Sequence, residues 1–133
     1  MDSYTLYFDG CSKGNPGKSG AGAVIYDIMN KEVWSNAVFV GNASTNNEAE
    51  YTGLLIGLRE AVRMGVSDLL VRGDSQLIIR QMKGEYKVKS ASLKPMHSEA
   101  LELSNSIEKI EFEHVYREFN KRADELSNVG LIV

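Results

Sequence analysis

The spacing of apolar residues along the chain predicts strands first and helices later. Residues 4–9 alternate apolar and polar side chains, which is the two-residue period of a β-strand. Two further β-rich runs, residues 21–28 and 32–40, are separated by a short polar turn. The glycine-rich segment 10–20 contains turn signals and is predicted to be a loop. We therefore expect a three-stranded antiparallel meander.

The pattern changes to a helical period after this meander. Thr45 and Glu48 have the spacing of a capping box, which predicts a helix that begins near Asn46, runs to about Met64 and stops at Gly65. The elements predicted after it are a strand at 68–73, a helix at 75–83, a helix at 92–108 with an apolar stripe that includes Leu101, a strand at 111–116 and a helix at 121–129.

This order of elements predicts the fold class. Three meandering strands, followed by strands that alternate with helices, indicate an α/β protein with a five-stranded mixed sheet flanked by helices. The strand after the long helix is expected to lie parallel to the first strand. The sequence contains no repeat or linker, so we expect a single domain over residues 1–133.

Composition favours a soluble intracellular protein. Hydrophobic residues make up 43% of the chain, and Cys11 is the only cysteine, which excludes a disulfide framework and a thiolate metal cluster. No signal-peptide pattern and no apolar run of roughly 18 residues is found. We expect a cytoplasmic monomer without a membrane segment.

The net charge of −3 leaves binding to nucleic acid open without supporting it. Most nucleic-acid-binding proteins carry a basic surface, but acidic residues that hold divalent cations would reverse the local field. Two local basic clusters are either phosphate contacts or ordinary solvated surface: Lys83, Lys87, Lys89 and Lys94, and Arg117, Lys121 and Arg122.

Two aspartates are placed where predicted strands end. Asp9 ends the first strand before the glycine-rich segment, and Asp74 ends a later strand before a helix. If these strands are parallel neighbours, both carboxylates reach the carboxyl edge of the sheet, where sites form in open α/β folds. The alternatives are a turn-forming role for Asp9 beside Gly10 and an N-cap role for Asp74.

Glu50 lies on the apolar face of the long predicted helix. It shares this face with Leu54, Gly57, Leu58 and Ala61. A buried carboxylate is costly unless it is paired or bound to metal, so Glu50 is predicted to be functional. Glu48 lies about 200° away around the helix and has a capping role. Gly53 and Gly57 would let the helix approach the sheet closely.

The acidic residues together predict a site for divalent cations. Asp124 is a fourth candidate, although placement in the first turn of the last helix is sufficient to explain it. Converging carboxylates cannot all stay ionised without cations, and oxygen ligands select Mg²⁺ or Mn²⁺. A pair of such ions is the usual device for phosphodiester chemistry, so the carboxylates indicate phosphoryl transfer.

Four segments closely resemble, in order and spacing, the motifs of type 1 ribonuclease H: FDGCSKGNPG, TNNEAEY, GDSQ and REFNKRADELSN. The resemblance runs from about Tyr4 to Asn128 and implies a ribonuclease H-like fold. It also implies that two Mg²⁺ ions, or two Mn²⁺ ions in their place, are bound by Asp9, Glu50, Asp74 and Asp124. The implied reaction cleaves the RNA strand of RNA/DNA hybrids and leaves 5′-phosphate and 3′-hydroxyl ends.

The resemblance further implies contacts to the hybrid. By motif position these come from Asn15, Asn46, Asn47 and Gln76. Lys13 and Arg117 are predicted to be further substrate-binding residues. Amides suit this role because they donate and accept hydrogen bonds, as the RNA 2′-hydroxyl does. Without the resemblance, Asn46 and Asn47 would be read as residues at a helix entry, and Asn15 as a turn residue.

Two departures from the family pattern concern the loop before Asp124 and the basic protrusion. Many bacterial members have a histidine in this loop, but here it has none, and Arg117 is the nearest substitute. The segment from Lys83 to Leu93 is too short for the protrusion, so this is a compact form in which the first lysine cluster replaces it in part. His97 and His114 are expected to be packed residues, and Cys11 a small loop-packing residue.

Two other functions remain open at this point. The chain could be a module of the same fold that binds hybrid or double-stranded RNA with weak or no cleavage, although four intact carboxylates argue against this. It could also be a related nuclease or transposase fragment that acts on DNA. A panel of labelled substrates with Mg²⁺ or Mn²⁺ would separate the three.

Overall fold

The computed structural model describes residues 3–133, in which five strands and four α-helices are found. The strands are Ser3–Lys13 (β1), Gly17–Tyr26 (β2), Glu32–Ser44 (β3), Asp68–Gly73 (β4) and Lys109–His114 (β5). The helices are Asn46–Arg63 (α1), Gln76–Met82 (α2), Lys94–Asn105 (α3) and Lys121–Val129 (α4). Short 3₁₀ helices at Arg117–Phe119 and Gly130–Ile132 lie on either side of α4.

The strands form one mixed sheet in the order β3-β2-β1-β4-β5. The pairs β1-β2 and β2-β3 are antiparallel, whereas β4 is parallel to both β1 and β5. The predicted meander, the parallel fourth strand and the five-stranded mixed sheet are therefore confirmed.

The glycine-rich segment is mostly strand, so its prediction as a loop is wrong. β1 continues to Lys13 and β2 begins at Gly17, which leaves only a short turn between them. The physical reason is close packing, because a Cβ on Gly20 would lie 2.3 Å from the main-chain oxygen of Ser127. Gly20 admits α4 to the face of the sheet and does not break β2. Asp9 therefore lies inside β1 and not at its end.

The capping box of α1 is confirmed. The Thr45 hydroxyl accepts the N–H of Glu48 at 3.1 Å, and the Glu48 carboxylate accepts the N–H of Thr45 at 2.7 Å. The helix ends just before Gly65, whose φ of 73° suits glycine. The fully buried face of α1 packs on the sheet through Leu54, Leu58 and Ala61.

The later elements differ from the sequence predictions in extent. β5 begins and ends two residues earlier than predicted, and α3 begins only at Lys94. Leu101, predicted in the apolar stripe of α3, is 38% exposed because it lies about 100° around the helix from buried Ala100. Among residues 3–133, no helix has the length and apolar character needed to span a bilayer.

Candidate active site

Parallel pairing brings Asp9 and Asp74 to one place in the sheet. The last residues paired between β1 and β4 are Phe8 and Gly73, so the two aspartates are the next residues of each chain segment. Asp9 is only 4% exposed to solvent, and Asp74 is partly buried. The expected meeting of both carboxylates at the carboxyl end of the parallel strands is therefore present, although β1 itself continues further.

Helix α1 brings Glu50 to the same place. Carboxylate oxygens of Asp9, Glu50 and Asp74 all lie within 4.8 Å of one another. A Cβ on Gly10 would lie 2.2 Å from the main-chain carbon of Ala49, so the helix and β1 are in direct backbone contact here. We call Asp9, Glu50 and Asp74 the acidic cluster.

Asp124 lies beside the acidic cluster but outside it. It lines the same surface depression as the three clustered carboxylates, and its charge raises the pKa of Asp74. Its backbone N–H donates to the main-chain oxygen of Asn120 at 3.0 Å, within the first turns of α4. The helix thus carries a fourth carboxylate to the edge of the site.

Burial and mutual repulsion raise the pKa values of the clustered carboxyl groups. Burial is the main cause for Asp9, with added repulsion from Asp74 and Glu50, and raises its pKa to about 9. Burial likewise raises the pKa of Glu50 to about 7, although the neighbouring side chains of Asp9 and Ser75 oppose this. The pKa of Asp74 is raised by burial and partly lowered by Arg117 and Asn120.

These shifts favour the binding of divalent cations. In water, aspartate and glutamate are ionised well below neutral pH, whereas here the Asp9 carboxyl holds a proton at pH 7. A cation bound among the three groups would replace that proton and stabilise the ionised forms. Oxygen ligands of this kind suit Mg²⁺ or Mn²⁺, and the residues present fit such an ion.

Metal-free protein is expected to lose stability as the pH rises from about 4 to about 9. The unfolded chain releases the protons of Asp9 and Glu50 near pH 4, whereas the folded chain retains them up to about pH 9 and 7, respectively. Over this range the folded state binds more protons, so the free energy of unfolding falls as pH increases. Thermal melts in EDTA at several pH values measure this.

Mg²⁺ should reverse the loss. The Mg²⁺-induced increase in Tm is expected to be larger at about pH 8 than at about pH 5, because more carboxylate charge needs compensation there. The Asp9→Asn variant is the control, since it removes the group with the largest shift and should flatten the pH dependence. A wild-type Tm in EDTA that is constant across this range would contradict the electrostatic account.

Two residues that the sequence reasoning missed support the acidic cluster. Ser75, and not Asp74, is the N-cap of α2, because its hydroxyl accepts the N–H of Ile78 at 3.3 Å. The N-cap alternative for Asp74 is therefore wrong. The Ser75 side chain also opposes the rise in the pKa of Glu50 that burial causes. A Ser followed by the apolar run of α2 is a capping signal that could have identified it.

Asn120 is the second residue that was missed. It is 1% exposed and donates its amide to the main-chain oxygen of Phe8 at 3.0 Å, one residue before Asp9. Asn120 also lies close enough to Asp74 to oppose the rise in the pKa of that carboxyl group, which is due mainly to burial. The side chain therefore ties the start of α4 to β1 beside the acidic cluster. Its position before the helix suggests a cap, but the side chain makes no capping hydrogen bond.

The structure brings three of the residues proposed for substrate contact to one side of the depression. Lys13 and Asn46 line it, and the Asn15 side-chain oxygen accepts the N–H of Asn46 at 2.9 Å. The β1-β2 turn and the start of α1 thus form one continuous surface. Asn47 is half-buried in the first turn of α1.

The other two proposed contact residues, Gln76 and Arg117, lie on α2 and on the 3₁₀ helix before α4. Gln76 is the first residue of α2 and is exposed, directly after the Asp74-Ser75 segment. Arg117 begins the 3₁₀ helix before α4, lines the depression, and lowers the pKa of Asp74 by its charge. Arg122 is already paired with Glu32 at 2.9 Å, so only part of its basic cluster is free for a ligand.

Both histidines and the cysteine have structural contacts. His114 is half-buried at the end of β5, where its ring packs edge-on against Tyr116, and His97 packs in the same way against Tyr51. Cys11 lies in β1 and donates its S–H to the main-chain oxygen of Ser127 at 3.4 Å. The prediction that Cys11 lies in a loop is wrong, but the side chain does pack, in this case against α4.

Comparison with curated proteins gives relatives of several lengths. A family profile described as "Reverse transcriptase-like" matches residues 7–130. The bifunctional protein Rv2228c of Mycobacterium tuberculosis is 39% identical over 90% of this chain, which spans 33% of that protein. Ribonuclease HI of Halobacterium salinarum is 38% identical over 94% of this chain, which spans 62% of that protein. The chain thus spans between a third and two thirds of these relatives.

A full-length relative and two solved structures complete the comparison. Ribonuclease H of Pseudomonas savastanoi pv. phaseolicola is 32% identical, with 98% of this chain and 93% of that protein covered. The crystal structure of RNase H1 from Halobacterium salinarum superposes with a TM-score of 0.92 at 36% identity, covering 98% of both chains. LC11-RNase H1 in complex with an RNA/DNA hybrid superposes with a TM-score of 0.89 at 35% identity, covering 97% of this chain and 96% of that chain. This chain therefore belongs to the ribonuclease H family of enzymes.

Proposed function

We propose that this chain is an endoribonuclease that hydrolyses the RNA strand of RNA/DNA hybrids with two Mg²⁺ ions, leaving 5′-phosphate and 3′-hydroxyl ends. The observation that carries the proposal is the convergence of Asp9, Glu50 and Asp74 within 4.8 Å, where the parallel pairing of β1 and β4 ends. Membership of the ribonuclease H family supports it, as does the likeness to LC11-RNase H1, whose structure is in complex with an RNA/DNA hybrid.

The four carboxylates are proposed to hold the cations. Asp9, Glu50 and Asp74 are close enough to share an ion, and Asp124 lines the same depression from α4. Bound divalent cations lower the pKa of an attacking water and stabilise the charge that develops at the phosphate. Mn²⁺ is proposed to substitute for Mg²⁺, since both prefer oxygen ligands.

The residues around the depression are proposed to position the hybrid. Asn15 and Asn46, linked by a 2.9 Å hydrogen bond, together with Asn47 and Gln76 would contact 2′-hydroxyls and base edges. Lys13 and Arg117 would contact phosphates. Arg117 would also act as the substitute for the histidine that this loop lacks. The lysine cluster of Lys83, Lys87, Lys89 and Lys94 would add phosphate contacts further from the site.

We also propose that residues 1–133 form one catalytic domain that acts as a monomer in the cytoplasm, away from membranes. One sheet joins the first strand to the last, and one apolar core includes residues from β1 through Ile107, which supports the single domain. Size-exclusion chromatography with light scattering tests the monomer directly.

A substrate panel is expected to show cleavage of the RNA strand in an RNA/DNA hybrid with Mg²⁺ or Mn²⁺. The 2′-hydroxyl contacts predict that double-stranded DNA and single-stranded DNA remain intact. End-labelled hybrid, double-stranded RNA and DNA substrates are compared, with and without EDTA, and product ends are mapped with a phosphatase. Binding of the hybrid without cleavage in either metal would instead indicate a binding module.

A further inference from the structure

A buried hydrogen bond joins α1 to α2 one residue after Glu50. The Tyr51 hydroxyl donates to the Oε1 atom of Gln81 at 2.6 Å. Tyr51 is fully buried and Gln81 is 4% exposed, so water cannot replace either partner. The bond is therefore a specific polar contact between the two helices.

Helix α3 completes this junction through His97. The His97 Nε2 atom lies 3.2 Å from the main-chain oxygen of Gln81 and, because a carbonyl only accepts, donates to it. The imidazole ring also packs edge-on against the Tyr51 ring, with centroids 6.4 Å apart. Three helices thus meet at Tyr51, Gln81 and His97.

The same two helices also meet at the acidic cluster. Ser75, the N-cap of α2, follows Asp74 directly, and carboxylate oxygens of Asp74 and of Glu50 on α1 lie within 4.8 Å of each other. Helix α2 has only seven residues, which is too short to be stable alone, so its tertiary contacts determine its position. A shift of α2 along or around α1 would therefore change the distance between the Asp74 and Glu50 carboxylates.

We propose that Tyr51 and Gln81 are positioning residues that set the approach of Asp74 to Glu50, and thereby the affinity of the acidic cluster for divalent cations. The inference rests on the proposed function only in assigning these carboxylates to metal binding. Tyr51 and Gln81 contact neither metal nor substrate, and they act through the placement of α2 on α1.

The test uses two near-isosteric variants, Tyr51→Phe and Gln81→Met. Each removes one partner of the buried hydrogen bond and retains most of the side-chain volume. Calorimetric titration of the nucleic-acid-free protein with MnCl₂ should show an affinity for Mn²⁺ weakened by at least about threefold. This minimum is smaller than the loss of about 10- to 100-fold expected when a direct hydrogen-bond partner of a metal ligand is removed. In hybrid cleavage, kcat should fall more than KM changes, and higher Mn²⁺ should recover part of the loss.

Ser104→Ala is the matched control. It also removes a buried hydroxyl hydrogen bond, from Ser104 to the main-chain oxygen of Ala100 at 2.7 Å, but within α3. It should lower Tm while Mn²⁺ affinity stays at the wild-type value. If Tyr51→Phe and Gln81→Met also lose only Tm, with unchanged Mn²⁺ affinity, the positioning role is wrong.

The binding measurement separates the two proposals. A wild-type protein that binds Mn²⁺ but leaves hybrids intact would refute the proposed cleavage. The effect of Tyr51→Phe on Mn²⁺ affinity would still decide the positioning role, because this readout needs no nucleic acid.

Discussion

Replacement of Asp9 by asparagine is expected to reduce Mg²⁺-dependent hybrid cleavage by more than about a hundredfold, since loss of even an outer partner of a metal ligand costs about 10- to 100-fold. The substitution keeps the side-chain shape but removes one anionic ligand from the centre of the acidic cluster. It also removes the buried carboxyl with the largest shift in pKa, so the metal-free variant should melt no lower than wild type. Cleavage assays and thermal melts measure both effects.

Asp74→Asn should give a comparable loss of cleavage for the same reason. Asp68→Asn is the matched control, because Asp68 begins the same strand, β4, and its carboxylate instead accepts the Ser3 hydroxyl at 2.9 Å. This variant should cleave at nearly the wild-type rate. Full Mg²⁺-dependent activity in both Asp9→Asn and Asp74→Asn would refute the site assignment.

Glu50→Gln is expected to abolish detectable cleavage and to maintain or raise Tm. Burial raises the pKa of Glu50 to about 7, because the ionised carboxylate is unfavourable in the metal-free protein. A neutral amide at this position does not carry that free-energy penalty. The activity loss should again exceed about a hundredfold. Steady-state cleavage of a labelled hybrid and melts in EDTA provide the two readouts.

Glu48→Gln, two residues away, serves as the control for this prediction. Glu48 accepts the N–H of Thr45 at 2.7 Å, and glutamine can fill the same place in a capping box. Cleavage and Tm should both stay close to wild type. A marked fall in Tm for Glu50→Gln, or a large loss of cleavage for Glu48→Gln, would reverse the roles assigned to the two glutamates.

Local signals in the sequence were sufficient for much of the fold and for the placement of the two glutamates. The capping box is a contact between residues three positions apart, so its spacing predicted the start of α1 directly. The helical period placed Glu50 on the face of Leu54 and Leu58, and this face packs on the sheet. The run at 68–73 gave both limits of β4, and the spacing at 121–129 gave those of α4.

The glycine-rich segment could not be assigned from local signals. Glycine predicts a turn when only the chain is considered, yet Gly20 lies in β2, where helix α4 packs against it. A Cβ on Gly20 would lie 2.3 Å from the main-chain oxygen of Ser127, more than a hundred positions along the chain. Such close approach is a property of the tertiary structure.

The supporting residues of the site required the structure for a similar reason. Ser75 has a recognisable capping pattern, but its influence on the pKa of Glu50 follows from the packing of α2 beside α1. Asn120 precedes a helix, as a cap would, yet its amide donates to Phe8, 112 positions away. Motif spacing indicated which carboxylates gather, whereas the groups that hold them in place follow from packing between elements.

Diffraction from crystals soaked in MnCl₂, recorded near the manganese absorption edge, tests the central claim most directly. The account predicts an anomalous peak among Asp9, Glu50 and Asp74, with carboxylate oxygens at about 2.1 Å, and a second peak toward Asp124. Carboxylates that remain together without any anomalous peak between them, or manganese bound only elsewhere on the surface, would contradict it.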